Sequence, residues 1–310
     1  MNTQSNAVPE SLDTQRTAPA TLSPTRPLYW SIRREIWENR SIYSVPLAVA
    51  GLVLIGFVIG TLHLAEKMRT ALTLAPMQQM DLIAQPYNLA ALMIMGIEFI
   101  VAVFYCLDAL HGERRDRSIL FWKSLPVSDV TAVLSKASIP LLVLPLLSFV
   151  ITLATQWIIL MIHTAVLLAS GLSVAPLWSQ VPWFQMSVML LYHLVAIHGL
   201  WYAPIYGWLL LASGWARRAA FLWAALPLLA IGVVEKIAFN TSHFGAWLQW
   251  RFMGGPGADS LTQGGSLMTH PLSLLILGKF LVSPGLWLGL AVAAAFLAAA
   301  VRLRRYQGPV

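Results

Sequence analysis

Six stretches of the chain carry apolar residues almost without interruption: 42–62, 88–108, 137–162, 184–212, 219–238 and 284–301. Each is long enough, or nearly so, to supply the roughly 20 helical residues that cross a bilayer core of about 30 Å. The pattern predicts an all-α integral membrane protein with six transmembrane helices. Pro140 and Pro145 stand near the start of the third span, and Pro204 predicts a kink in the long fourth. Ser283-Pro284 suits the start of the sixth, because proline is at home in a first helical turn. An even number of crossings puts both ends of the chain on one side.

The segments between the spans read differently. Residues 1–27 are rich in Ser, Thr, Pro, Ala and Gln without an apolar period, which predicts a disordered cytoplasmic tail. No short apolar stretch with a small-residue cleavage site lies near Met1, so no cleaved signal peptide is expected. In 28–41, Tyr29, Ile32 and Ile36 recur at helical spacing while Arg33, Arg34, Glu38 and Arg40 take the other positions. That predicts an amphipathic helix lying along the bilayer surface with Trp30 and Trp37 at its flanks, or simply a cytoplasmic lead-in to the first span. The transmembrane domain then occupies 42–305, and 306–310 form a cytoplasmic C-terminal tail. Residues 60–82 read as a partly charged outer loop. Residues 239–283 combine a Gly-rich hinge at 253–257 with two semi-apolar pieces, 240–252 and 271–282. These predict short outer-leaflet helices packed on protein, as irregular backbone at membrane depth requires.

Between the second and third spans, a charge cluster from Glu113 to Arg117 precedes a two-turn amphipathic helix over 118–125. Its apolar positions are Ile119, Phe121, Trp122 and Leu125, and it stops at Pro126. Ser128 is placed to N-cap the following helix, with Asp129 favourable beside its dipole. A stop-transfer anchor followed by a surface helix is the plainer alternative.

Composition and charge sharpen the picture. The chain is 58% hydrophobic and 11% charged, with a mean hydropathy of +0.70, against roughly 45–50% and about 25% in soluble domains. An ordinary soluble fold is excluded. The 13 Trp residues suit two membrane–water interfaces. Of the 20 Lys and Arg, all but Lys67, Arg69, Lys236, Arg251 and Lys279 fall in the segments on one side, so both termini are expected in the cytoplasm. The net charge of +7 is thereby explained by orientation, and no nucleic-acid partner is called for. Cys106 is the single cysteine, which leaves no intrachain disulfide and no Cys-based metal or redox motif.

Candidate chemistry is sparse. The nearest string to a phosphate-binding loop, Gly278-Lys279-Phe280, lacks the first glycine and the hydroxyl. No His-Glu-x-x-His pair offers a metal site. His193 and His198, five apart on the fourth span, fall on different faces of a regular helix and are expected to hydrogen-bond neighbouring helices. Glu98 sits mid-span, where an ionised group costs at least about 2.5–3.5 kcal/mol. It must face protein or a wet cavity, or be protonated; it either lines a translocation path or gate, or makes a structural hydrogen bond. Gly56/Gly60 and Gly285/Gly289 are small-xxx-small pairs that permit close helix approach.

The run GERRDRSILFWKSLPVSD (112–129), followed by Ser135-Lys136, resembles the cytoplasmic coupling region of ABC transporter permeases of the type-2 export class. The segment RREIWENRS (33–41) is similar to the connecting helix of that class. Gly112 and Asp129 depart from the pattern of many relatives. The resemblance implies a permease subunit in a bacterial inner membrane, with both termini cytoplasmic, that works with a separate ABC ATPase. ATP and magnesium would be bound there, with no cofactor in this chain. A second permease chain, identical or not, would complete the assembly within the lipid bilayer. On this reading Glu113, Arg114, Arg115, Arg117, Phe121, Trp122, Leu125 and Pro126 form the ATPase-coupling interface, beside an interfacial helix carrying Trp30, Arg33, Arg34, Glu35 and Trp37. Substrate export is one outcome, and Met93, Met95, Trp201, Tyr202, Tyr206 and Trp208 would suit a hydrophobic or amphipathic cargo or serve as plain packing. Transmission of ATP-driven motion to a membrane partner or lipid is another. A membrane enzyme using Glu98, His193 and His198 is a third.

Overall fold

The computed structural model describes residues 25–125, 127–179, 182–253 and 280–308. The tail over 1–24, Pro126, the hinge at 254–257, Lys279 and most of 271–282 lie outside the described residues. Among the described residues every regular element is helical. In chain order they are α1 (Thr25–Glu38), α2 (Ser41–Gly60), α3 (Leu64–Leu72), α4 (Pro76–Ala109), α5 (His111–Arg115), α6 (Ser118–Ser124), α7 (Asp129–Ser138) and α8 (Leu144–Ala169). They continue with α9 (Ala175–Ser179), α10 (Trp183–Tyr192), α11 (Ala203–Trp215), α12 (Ala220–Phe239), α13 (His243–Phe252) and α14 (Pro284–Tyr306).

Six helical stretches are long and apolar enough to cross a membrane; the chain is an all-α, multi-pass membrane protein. They divide into two groups. About half of the apolar window is buried in the stretches containing α4, α8 and α10, but less than a quarter in those of α2, α12 and α14. The first group forms the interior and the second its more exposed flank. Apolar packing concentrates at two levels. One cluster gathers Ile42, Tyr105, Cys106, Ile139, Leu144, Tyr206 and Leu210; the other gathers Met68, Tyr87, Leu160, Leu167, Met186 and Leu190.

The predicted outer loop at 60–82 is instead largely helical. A short 3-10 turn over Thr61–His63 leads into α3, and α4 begins at Pro76 rather than at 88. Gln79, Ile83, Tyr87, Ala90, Ala91 and Ile94 are all buried, a three-and-four spacing that turns one face inward while Gln78, Asp81 and Gln85 stay exposed. These outward polar positions break the apolar run and so mask the helix in a reading by apolar runs alone.

The third and fourth spans each contain a π segment, Ile139–Val143 joining α7 to α8 and His193–Trp201 joining α10 to α11. Both lie beside prolines, Pro140 in the first and Pro204 just beyond the second. Proline removes an amide donor and crowds the preceding turn, and a widened turn absorbs that conflict. The two π segments touch: a Cβ on Gly199 would lie 2.9 Å from the Leu141 carbonyl oxygen. The fourth span breaks at Tyr202, close to the kink expected at Pro204.

Of the two small-xxx-small pairs, only the second mediates close packing. Gly285 lies against Trp250, and Gly289 beneath the Arg251 guanidinium. Arg251 also donates to the Gly285 carbonyl at 2.9 Å, and its guanidinium stacks 4.0 Å from the Trp201 ring centre. Thus α13 docks on the start of α14, as the expected short helix over 240–252 does in outline. Gly199→Ala places a methyl against an immovable backbone carbonyl and is expected to cost about 1–3 kcal/mol, read as a lowered thermal midpoint in detergent. Gly56→Ala, whose added Cβ meets nothing within 4 Å, is expected to leave that midpoint unchanged.

Candidate functional site

The charges singled out in the sequence converge at one end of the bundle. There α1, the α5–α7 elbow and the last turns of α14 meet around two nearly inaccessible carboxylates, Glu35 and Glu113. Lys136, at the end of α7, bridges them: its Nζ lies 2.9 Å from Glu35 Oε1 and 3.1 Å from Glu113 Oε1. Arg34 reaches the same oxygens at 2.6 and 3.3 Å. Arg304 of α14 pairs with the second oxygen of Glu113 and approaches Asp129 at 3.3 Å. Tyr105, from α4, donates its hydroxyl to Glu35 Oε2 at 2.9 Å. Three acids and three bases therefore balance in a site largely withdrawn from water, and at its exposed margin Arg34 also meets Glu38 at 3.4 Å. Burial works to raise the Glu35 pKa and is outweighed by Lys136 and Arg34, which hold its carboxyl below the usual range.

A second set of bonds locks the elbow to helix ends. Arg114 donates to the carbonyls of Gly214 and Ala216 at 2.5 and 3.2 Å and to that of Gly308 at 3.2 Å. It thereby caps the C-terminus of α11, where a cation is favoured by the unpaired carbonyls. The Ser213 hydroxyl in turn accepts the Leu110 and His111 amides at 3.1 and 2.9 Å. Lys123 of α6 donates to the Gln307 carbonyl at 3.1 Å. The chain reverses between α5 and α6 at Arg117, which adopts a left-handed conformation with φ of 59°, uncommon for a residue with a side chain.

The geometry divides the sequence-derived coupling set. Glu113 and Arg114 are buried and internally engaged, whereas Arg115, Arg117, Phe121 and Leu125 are exposed. On α6 only Ile119 turns fully inward; Phe121 is 59% and Leu120 58% exposed. Trp122 is half-buried, with the Arg34 guanidinium 3.7 Å above its ring. Ser128 N-caps α7 as expected, accepting the Thr131 amide at 3.1 Å, and Asp129 sits in its first turn. On α1, Ile32 and Ile36 pack on the core, but Tyr29 is exposed beside Trp30 and does not share their face. Arg33 lies over the rings of both Trp30 and Trp37, at 5.2 and 4.5 Å, a cation–π arrangement.

Glu98 faces the interior, 1% exposed, on the side of α4 that carries Ser148 and Tyr206 as neighbours. Its Oε2, Ser148 Oγ and Thr152 Oγ1 make no hydrogen bond among the described residues. His193 and His198 are both buried. Both stand within the π segment, whose i→i+5 bonding sets positions five apart closer in angle than a regular helix does. No group of three metal-ligating side chains forms among the described residues. The pair Tyr87–His163, joined at 3.1 Å, links α4 to α8 across 76 residues and has no local pattern that would announce it. Comparison with protein-family models, curated proteins and solved structures finds no match in any of the three.

Removing Lys136 leaves two buried carboxylates short of a partner. Lys136→Met is expected to destabilise the fold by about 3–5 kcal/mol, and the Glu35→Gln, Lys136→Met double variant to recover part of that loss in thermal unfolding. Because Glu35 ionises below its ordinary value of 4.5 when folded, its contribution is complete above that value. It disappears as the pH falls through the lower, folded value. A pH series of thermal midpoints should accordingly show an acid limb that Glu35→Gln flattens.

Proposed function

We propose that the chain is the membrane subunit of an ATP-driven exporter whose ATPase is a separate protein, and that α6 is the lever on which that partner pushes. The observation that carries the reading is α6 itself. It presents exposed Leu120, Phe121 and Leu125 beside exposed Arg115, Arg117 and Lys123, while its root is tied by buried charge to α1, α7 and α14. An aromatic anchor rimmed by arginine is the usual make-up of an energetic centre at a protein interface. The resemblance of 112–136 to type-2 ABC permeases supports the same role.

Mechanically, force on α6 passes through Arg117 into α5. Glu113 hands it to Lys136 at the base of the third span and to Arg304 at the end of the sixth. Arg114 hands it to the end of α11. Separating any of these contacts exposes a desolvated charge or an orphaned carbonyl, so the helix ends tilt together. The basic end faces the cytoplasm by the positive-inside rule, which puts α6 where an ATPase can reach it, in a bacterial inner membrane. A second permease chain would complete the path, and ATP with magnesium would bind the partner. The same lever would serve a complex that moves a membrane partner or lipid instead of a solute; a flux assay in vesicles separates the two outcomes.

The test is reconstitution with the cognate ATPase, sought first among the products of neighbouring genes. Phe121→Asp and Arg115→Glu are expected to reduce permease-dependent stimulation of ATP hydrolysis about tenfold, a loss of about 1.4 kcal/mol at the interface, with thermal midpoints unchanged. Stimulation and assembly that survive both substitutions would refute the lever.

A further inference from the structure

The glycine pair Gly56/Gly60, which mediates no packing within the chain, opens onto a cavity at the opposite end of the bundle. The cavity holds about 820 Å³ and is walled by α2, α3, α4, His163 of α8 and Leu177 of α9, within the ~300–1,000 Å³ span of small-molecule sites. Its chemistry is graded along the membrane normal. At 1.5 Å per residue, α4 has risen about 30 Å from Ala109 by the level of Leu89, and α2 about as far from Ser41 by Gly60. Leu52, Phe57, Leu89 and Met93 therefore stand at acyl-chain depth. Of the six polar lining residues, His63, Glu66, Lys67, Thr70 and Gln85 stand at or beyond the interface, and the sixth, His163, has its Nδ1 engaged by the Tyr87 hydroxyl. Leu52, Leu89 and Met93 are also 43–63% exposed, so the apolar part is open toward lipid. Glu66 and Lys67 enter no ion pair among the described residues.

We propose that this cavity binds one phospholipid of the leaflet away from α6. Its acyl chain lies in the slot cleared by Gly56 and Gly60, with the phosphate at Lys67 and His63. The slot is apolar where a chain would run and carries a cation where a phosphate would sit. It is also closed on one side by α3, which follows directly from Gly60 through a single 3-10 turn. A second copy of α2 docking along the glycines would need a face unobstructed past Gly60, and α3 occupies that approach. Lipid at this position requires no partner ATPase.

The full chain, reconstituted in phosphatidylethanolamine–phosphatidylglycerol vesicles with a trace of phospholipid bearing a diazirine on its acyl chain, is irradiated, digested and mapped by mass spectrometry. Adducts are expected to concentrate on peptides carrying Phe57, Leu89 and Met93. Gly56→Trp and Gly60→Phe project side chains into open space, as neither glycine has an atom within 4 Å of an added Cβ. Each should lower those adducts about tenfold by filling the site. Gly51→Trp, on the same helix but outside the cavity lining, should not. Lys67→Glu should weaken labelling by the phospholipid relative to a diacylglycerol probe with the same chain. Adducts spread evenly over the exposed faces of α2 and α12, or unchanged in both cavity-filling variants, would overturn the proposal. So would a copy-to-copy cross-link at Gly56 that these variants abolish while lipid labelling persists. None of these results bears on ATPase stimulation, so the site and the lever fail independently.

Discussion

Six charged side chains drawn from four helices neutralise one another in a pocket that water barely reaches, and the rest of the architecture at that end is arranged around this balance. Attraction between buried ions is strong, but so is the hydration each surrenders, and the net gain in stability from such a group is small. What the group does enforce is arrangement. Glu35, Glu113 and Lys136 are each so thoroughly buried that any helix leaving the group strands a bare charge behind it. α1, α7 and α14 are thus bound to the elbow by a penalty on separation, more than by adhesion. The hydroxyl of Tyr105 extends the same constraint to α4.

The two ends of the bundle differ in kind. At the elbow, carbonyls at helix ends are taken up by Arg114 and Lys123, and amides by Ser213, which leaves little freedom for local rearrangement. Toward the middle, the Ser148 and Thr152 hydroxyls of α8, and His193 Nε2 and His198 Nδ1 of the second π segment, remain without partners among the described residues, and the spans are interrupted by wide turns. At the far end, one face of α2 packs on the distal cluster while its glycine face opens onto a gap. A stiff base, a less fully paired midsection and an open distal slot follow one another along a single axis.

The spans are legible in the sequence because, in a chain so poor in charge, an unbroken apolar run of about twenty residues is stable chiefly as a helix across a bilayer. The cap at Ser128 is legible because capping is local chemistry. The ion cluster is not, although most of its members stand out singly. Its partners lie 101 and 191 residues apart in the chain, Glu35 with Lys136 and Glu113 with Arg304, and single-sequence periodicity carries no information about such distances. Glu113 and Arg114 read as surface charge for the same reason. The early start of α4 is hidden by the polar side chains on its outer face, though the spacing of Ile83, Tyr87, Ala90 and Ile94 contains it. A period of 3.6 separates the two histidines of the fourth span, and the local period there is longer.

That longer period has an effect on the fourth span as a whole. A turn closed by i→i+5 bonds can be rewound to i→i+4 by exchanging acceptors, with the hydrogen bonds changing hands instead of disappearing. Each such exchange rotates everything beyond it about the helix axis. The segment His193–Trp201 separates α10, packed in the distal cluster, from α11, whose last carbonyls are gripped by the elbow. The span is thereby fitted with a swivel between two anchored halves, so that torque applied at one end need not be felt as translation at the other.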